Sequence, residues 1–194
     1  MIRLARPHVR FQRSYLAAHD EFAGATRDGD GVWVEAPDGR GYSGTDFGRA
    51  EMETAAGFAR YVAWRLDSSR EDSPRTHGHV PCTYFWVFDD ADPDTYLGTV
   101  SIRHRLTPFL LAIGGHVGYS VRPSARRRGV ATRALHLLLP HAAALGIDPV
   151  LITCDVDNIG SAKVIEANGG VLEDVWEGKK RYWVPSGRRA RRST

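Results

Sequence analysis

Cysteine is scarce in this sequence. Two thiols in 194 residues, Cys82 and Cys154, stand far apart and at no metal-ligand spacing. That argues against a disulfide framework or a bound metal, and it fits a reducing compartment. Long apolar runs are missing: none approaches the ~18 residues that cross a bilayer. The opening stretch MIRLARPHVRF has no signal-peptide core, so the expectation is a soluble, cytoplasmic protein with no membrane contact. The common nucleotide loops are also absent. There is no Gly-x-x-x-x-Gly-Lys-Ser/Thr, and no Gly-x-Gly-x-x-Gly after an early strand, which reads poorly for an ATPase or a dehydrogenase. Strong charge of one sign is lacking too. The net charge is +3, while Arg188, Arg189, Arg191 and Arg192 in the last seven residues carry +4 by themselves. The body is therefore close to neutral, and nucleic acid ranks last among partners.

What remains is ordinary globular composition, 42% hydrophobic and 25% charged, at a length that suits one domain with a sizeable core. We expect a single domain over residues 1–185 and a basic, flexible tail over residues 186–194.

Taken in order, Ile2–Leu4 reads as a short strand, and the apolar spacing from Val9 to Ala25 reads as a helix. A glycine-rich loop from Arg27 to Thr45 follows, with a brief strand at Val32–Glu35 inside it. Thr45 or Asp46 then caps a second helix carrying Phe47, Met52, Phe58, Tyr61, Val62, Trp64 and Leu66. Strands are expected at Thr83–Phe88, Tyr96–Leu106 and Gly114–Val121. A helix opens at Gly129 and runs to about Leu145, kinked or shortened by Pro140. Pro149–Cys154 is a strand, Asn158 caps a helix over Ile159–Asn168, and Val171–Trp176 with Lys179–Val184 form a hairpin around Glu177-Gly178. The order β-α-α-β-β-β-α-β-α-β-β makes an α/β domain: a mixed, mostly antiparallel sheet flanked by about four helices.

The stretch Gly118–Leu139, GYSVRPSARRRGVATRALHLLL, carries the chemistry. A strand ends at Val121, a basic turn follows, and small residues open a helix. Helix N-termini offer unpaired N–H groups and about half a positive charge, which favours phosphate oxygens. Gly129 and Ala131 permit close approach to the main chain. Arg126, Arg127 and Arg128 place full charges where a helix start already repels cations, which makes sense if a polyanion neutralises them.

Val121-x-Pro123 followed by Arg126-x-x-Gly129-x-Ala131 resembles the acetyl-CoA signature of the GNAT-type N-acetyltransferases. Asp157–Gly169, DNIGSAKVIEANG, is similar to that superfamily's second motif. SIRHRL (Ser101–Leu106) and the segments around both motifs resemble a bacterial group of predicted acetyltransferases within it, with the likeness strong over about Pro81–Val184. The resemblance implies acetyl-CoA as co-substrate and no metal, and a primary amine, small or peptidic, as acceptor. It also implies direct attack in a ternary complex. Tyr119 and Val121 would pair with the pantetheine arm. The amides of Arg127, Arg128, Gly129, Val130 and Ala131, with Thr132, would hold the pyrophosphate, and Arg126 and Arg128 would be its charge partners. Asn158 and Ser161 would lie along the thiol end, although Asn158 is equally a helix cap and Ser161 a small packing residue.

In that superfamily a tyrosine seven residues after the asparagine often serves as acid; here the position is Ile165. Some branches place a carboxylate five residues before the position of Val121; here it is His116, a candidate base near neutral pH. His104, Asp155 and Tyr182 are further candidates for proton transfer. The acceptor pocket is expected from the Arg27–Thr45 loop, the end of the second helix and the Arg103–Arg105 strand. Its arginines suggest a carboxylate or phosphate on the acceptor, or simply a solvated face. An acyl-CoA-binding module without turnover is the main alternative, a nucleic-acid binder a weaker one, and a homodimer is left open.

Overall fold

The computed structural model describes residues 1–25, 27, 29, 34–35, 45–75 and 78–187. Most of the expected 27–45 loop and residues 188–194 of the expected 186–194 tail lie outside the described residues; Ser186, at the start of that tail, is buried and its hydroxyl donates to the Ile147 carbonyl at 2.7 Å. Strands β1 (Ile2–Ala5), β4 (Cys82–Asp89), β5 (Gly98–Arg103) and β6 (Val117–Val121) form one sheet in the order β1-β4-β5-β6. Strands β7 (Val150–Asp155), β8 (Val171–Trp176) and β9 (Lys179–Val184) form another, in the order β7-β9-β8. Each of these pairings is antiparallel.

Side chains on a strand alternate between faces, and here both faces of the first sheet are buried. Phe85, Val87, Val100 and Ile102 face one core together with Leu135 and Leu138 of α4 (Val130–Ala144) and Ile165 of α5 (Ile159–Ala167). The same core takes Val150, Ile152 and Tyr182 from the second sheet, so it joins the two sheets into one unit. Trp86 points to the opposite face. It packs there with Phe11, with Tyr15 of α1 (Gln12–Glu21), and with Phe58 and Tyr61 of α3 (Ala55–Asp67). Stacked and edge-on ring pairs fill this second core, Tyr15 lying 5.0 Å from Trp86 between centroids.

Several elements differ from expectation, each for a local reason. Thr45 and Asp46 do not cap a helix: they are β3 (Thr45–Asp46), pairing with β2 (Val34–Glu35). The expected second helix is divided into α2 (Arg49–Met52) and α3, because Thr54 is extended and its Oγ1 accepts the Gly57 N–H at 3.0 Å, a side-chain cap that starts a new helix. The loop containing Pro108 holds a π-helical turn over Leu110–Gly114. Pro140 does not end α4, which continues four residues beyond it to Ala144. The residue is exposed, so the bond its missing N–H costs lies on the wet side of the helix. The closing hairpin forms as read, with Glu177 and Gly178 at φ +46° and +77°, both left-handed as a tight two-residue turn requires.

Candidate active site

The strands β6 and β7 touch only at their starts. The His116 N–H donates to the Leu151 carbonyl at 2.7 Å, and the Leu151 N–H donates to His116 Nδ1 at 3.0 Å. Beyond that junction β6 and β7 belong to separate sheets, and a cleft of about 840 Å³ opens between them, floored by α4 and the start of α5.

The hydrogen-bond phase of β6 decides what this cleft meets. Arg103 N–H donates to His116 O at 2.8 Å and Arg122 N–H to Leu97 O at 2.9 Å. In an antiparallel ladder successive residues point their N–H and C=O to opposite sides. The even-numbered residues of β6 therefore bond to β5, and Tyr119 and Val121 direct theirs toward the cleft. The Val121 carbonyl accepts from Arg126 Nε at 3.1 Å.

At the end of β6 the chain makes one 3₁₀ turn (Pro123–Ala125) and then reverses into α4. Arg127 has φ +60°, a conformation that strains a residue with a side chain, and Gly129 follows at φ +74°. This curl gathers successive N–H groups into a concave nest. The nest continues into the first turn of α4: the first helical bond is Arg133 N–H to Gly129 O at 3.0 Å, so the amides of Val130, Ala131 and Thr132 have no acceptor within the helix. Arg126 and Arg127 line the cleft beside them, and the Arg126 guanidinium lies 5.5 Å from the Phe22 ring centroid at the end of α1.

On the α5 side, Asn158 caps its helix through Oδ1, which accepts the Ser161 N–H at 2.9 Å. Tyr119 reaches across the cleft, its hydroxyl hydrogen-bonding Ser161 Oγ at 2.5 Å. The expected donor-binding residues thus converge on one cavity, with one exception. Arg128 does not line it; it is exposed, and its charge is felt by Asp89 at the end of β4.

The expected proton-transfer residues fare differently. His116 is buried and outside the cleft lining. Its Nδ1 lone pair is used by the Leu151 N–H, which leaves the proton on Nε2 and no basic nitrogen to offer. Burial, with Arg103 nearby, pushes its pKa down to about 4. His116 is a staple between the sheets, not the expected base: it stands outside the cleft with its lone pair already spent. Tyr182 is also corrected: its hydroxyl is buried on the α5 side, donates to Glu166 Oε1 at 3.0 Å, and is pushed up to about 12 by burial and that carboxylate. His104 turns to Thr83, 2.8 Å away. Asp155 does line the cleft, with its carboxylate 2.5 Å from Lys179 Nζ.

Of the expected acceptor walls, Arg103 lines the cleft, whereas Arg105 pairs with Glu71 at 2.7 Å outside it and the end of α3 takes no part. Sequence reasoning missed Phe22, Lys179, Phe109 just before the π-helical turn and Ile113 within it. Only tertiary packing brings these four to the cavity, and no local motif marks them.

Residues 26–171 match the model of the acetyltransferase (GNAT) domain. The chain belongs to the GNAT acetyltransferase family. No curated protein matches it significantly. Among solved structures, the GNAT fold recurs in ribosomal-protein-S5-alanine acetyltransferase from Vibrio fischeri, with TM-score 0.57, 19% identity and coverage of 95% of this chain and 92% of that one. RimJ of Mycobacterium smegmatis, in complex with CoA-disulfide, gives TM-score 0.59 and 16% identity, covering 94% and 80%. The microcin C7 self-immunity acetyltransferase MccE, in complex with acetyl-CoA and AMP, gives 0.57 and 13%, covering 95% and 92%. Among the described residues no cluster of acidic, histidine or cysteine side chains could hold a metal ion, and no helix is long and apolar enough to cross a membrane.

Proposed function

We propose that this GNAT domain transfers an acetyl group from acetyl-CoA to a primary amine by direct attack within a ternary complex. The observation that carries the reading is the continuity of two backbone features. The cleft-facing N–H and C=O of Tyr119 and the N–H of Val121 lead, across one 3₁₀ turn, to the nest from Arg127 to Ala131. An extended amide-bearing arm ending in a pyrophosphate fits that order. The arm adds to β6 like a strand, and the pyrophosphate takes the nest amides and Arg126. Asn158 keeps its side-chain N–H groups for the arm's thiol end, since only its oxygen serves the cap. The S5-alanine enzyme and the Salmonella typhimurium acetyltransferase that modifies the N-terminal serine of L7/L12 make a peptide α-amine one natural acceptor. A small amine is the other.

Attack forms the C–N bond and breaks the C–S bond, with CoA leaving as a thiolate whose pKa of about 8.5 makes it a tolerable leaving group. A cleft-facing N–H of β6, that of Val121 or a neighbour, would serve as donor to the developing oxyanion. Alignment supplies much of the acceleration, and the proton lost from the ammonium passes to solvent. The test is titration calorimetry with CoA, paired with thiol release from acetyl-CoA over a panel of amines. Binding together with amine-dependent release supports the reading. Tight binding with no release from any amine would convert the protein into an acyl-CoA sensor, and no binding would end the reading altogether.

A further inference from the structure

Among the described residues, five charged side chains line the cleft: Arg103, Arg126, Arg127 and Lys179 against Asp155. Asp155 is taken by Lys179. Arg126 and Arg127 belong to the nest that faces the pyrophosphate. That leaves Arg103, at the end of β5, as a cation with no carboxylate in ion-pair range among the described residues. One of its terminal nitrogens, Nη1, donates to the Gly114 and Gly115 carbonyls at 2.9 and 3.1 Å, which anchors the guanidinium without neutralising it. The remaining fork of N–H donors keeps its full charge in a half-buried position. Its field reaches the neighbours: it adds to the downward shift of His116 and opposes the upward shift of the buried Cys82 thiol.

The face on which Arg103 stands separates it from the donor. Its neighbour Ile102 points into the core beneath α4, so Arg103 points to the opposite face of the sheet, with its cross-strand partner Cys82 and with Ser101. The glycine-rich loop begins over that same face. Gly29 lies so close to β6 that a Cβ there would stand 2.3 Å from the Gly118 carbonyl oxygen. The nest and the α4 N-terminus lie at the other end of β6.

We propose that the acceptor is an amine that also carries an anionic group, a carboxylate or a phosphate, and that Arg103 binds this group and so selects the acceptor. The inference rests on the acetyl-transfer reading and goes beyond it by naming the acceptor class. A planar guanidinium with its donors in a fork suits both oxyanions.

The experiment measures CoA thiol release with matched acceptors: α-amino acids against their amides, phosphoethanolamine against ethanolamine, and short peptides with an acidic or an amidated second residue. Calorimetry with CoA runs in parallel. The expected result is a kcat/KM at least tenfold higher for the anionic member of at least one pair. That preference should run against intrinsic reactivity, because the amide has the more readily deprotonated amine. In Arg103→Gln the preference collapses, chiefly through a raised KM for the anionic acceptor, and Arg103→Lys restores part of it. Release with no preference in any pair overturns the inference and leaves acetyl transfer standing. The inference also falls if the preference survives Arg103→Gln in a variant that still binds CoA. A third overturning outcome is an Arg103-dependent preference for succinyl-CoA over acetyl-CoA, which would give the anion to the acyl group. Absence of release from every acceptor overturns the transfer reading itself.

Discussion

The imidazole of His116 sits where two sheets touch, and protonating it means breaking that junction. Its folded pKa of about 4 lies below the ordinary 6.5. The unfolded chain therefore binds the extra proton between those values, and stability falls as pH drops through that window, by up to about 3 kcal/mol. His116→Gln has no such titration, so its Tm should fall less steeply than that of the wild type between roughly pH 6.5 and 4, as followed by circular dichroism. The same substitution should leave the shape of the kcat/KM profile unchanged over roughly pH 6 to 9. A lost acid-side limb in the variant would restore His116 as a base. The sequence shows a histidine near a motif. It does not show whose lone pair is spent, because Leu151 is 35 positions away.

Glu21 at the end of α1 plays a comparable part between elements. Its carboxylate takes Arg122 through Nε at 3.0 Å and through Nη2 in a shorter contact, and accepts the Ser124 N–H at 3.0 Å. The hydrogen bonds from Arg122 hold its pKa down to about 2. This strap ties α1 to the turn that leads into the nest, and it carries Phe22 to its place under Arg126. A depressed carboxylate stabilises the fold above its unfolded pKa and loses that contribution as pH falls toward 2. Glu21→Gln should cost about 1 to 2 kcal/mol at neutral pH, less than the full shift because the pair is partly wet, and nothing near pH 2. It should also weaken CoA binding several-fold in calorimetry; unchanged affinity would make the strap purely a stability device. Nothing local announces this contact, which spans 101 residues. Where the instructions were local, the elements were legible. Asn158 capping α5 and Glu177-Gly178 turning the β8–β9 hairpin each need only a few neighbouring residues. The break between α2 and α3 depended on Thr54 being extended, and β3 depended on a partner strand ten residues upstream. Apolar spacing alone carries neither instruction.

At the scale of the molecule, the two sheets share a core on one side of the β6–β7 junction and part on the other, so anything that spans the cleft couples them. Acetyl-CoA or CoA held by β6, α4 and α5 should stabilise the whole domain. At about 100 times Kd the gain is about 2.7 kcal/mol, which for a chain of this size raises Tm by roughly 5 to 10 °C. Pantetheine, lacking the pyrophosphate, should give a much smaller shift at equal concentration in the same thermal scan. Equal shifts would remove the nest at Arg127–Ala131 from the binding account.

The cleft side of β6 is written in main-chain atoms. Tyr119 and Val121 present N–H and C=O groups that every residue except proline possesses, and the nest at Arg127–Ala131 is a matter of φ angles. On the proposed reading an alanine scan is blind to most of it, and side chains along β6 can drift without erasing the surface offered to the donor. The fold recurs in proteins only 13% to 19% identical to this chain. The substitutions that can remove that surface are those that change the main chain: proline at 121, or a side chain at 129 that resists a positive φ.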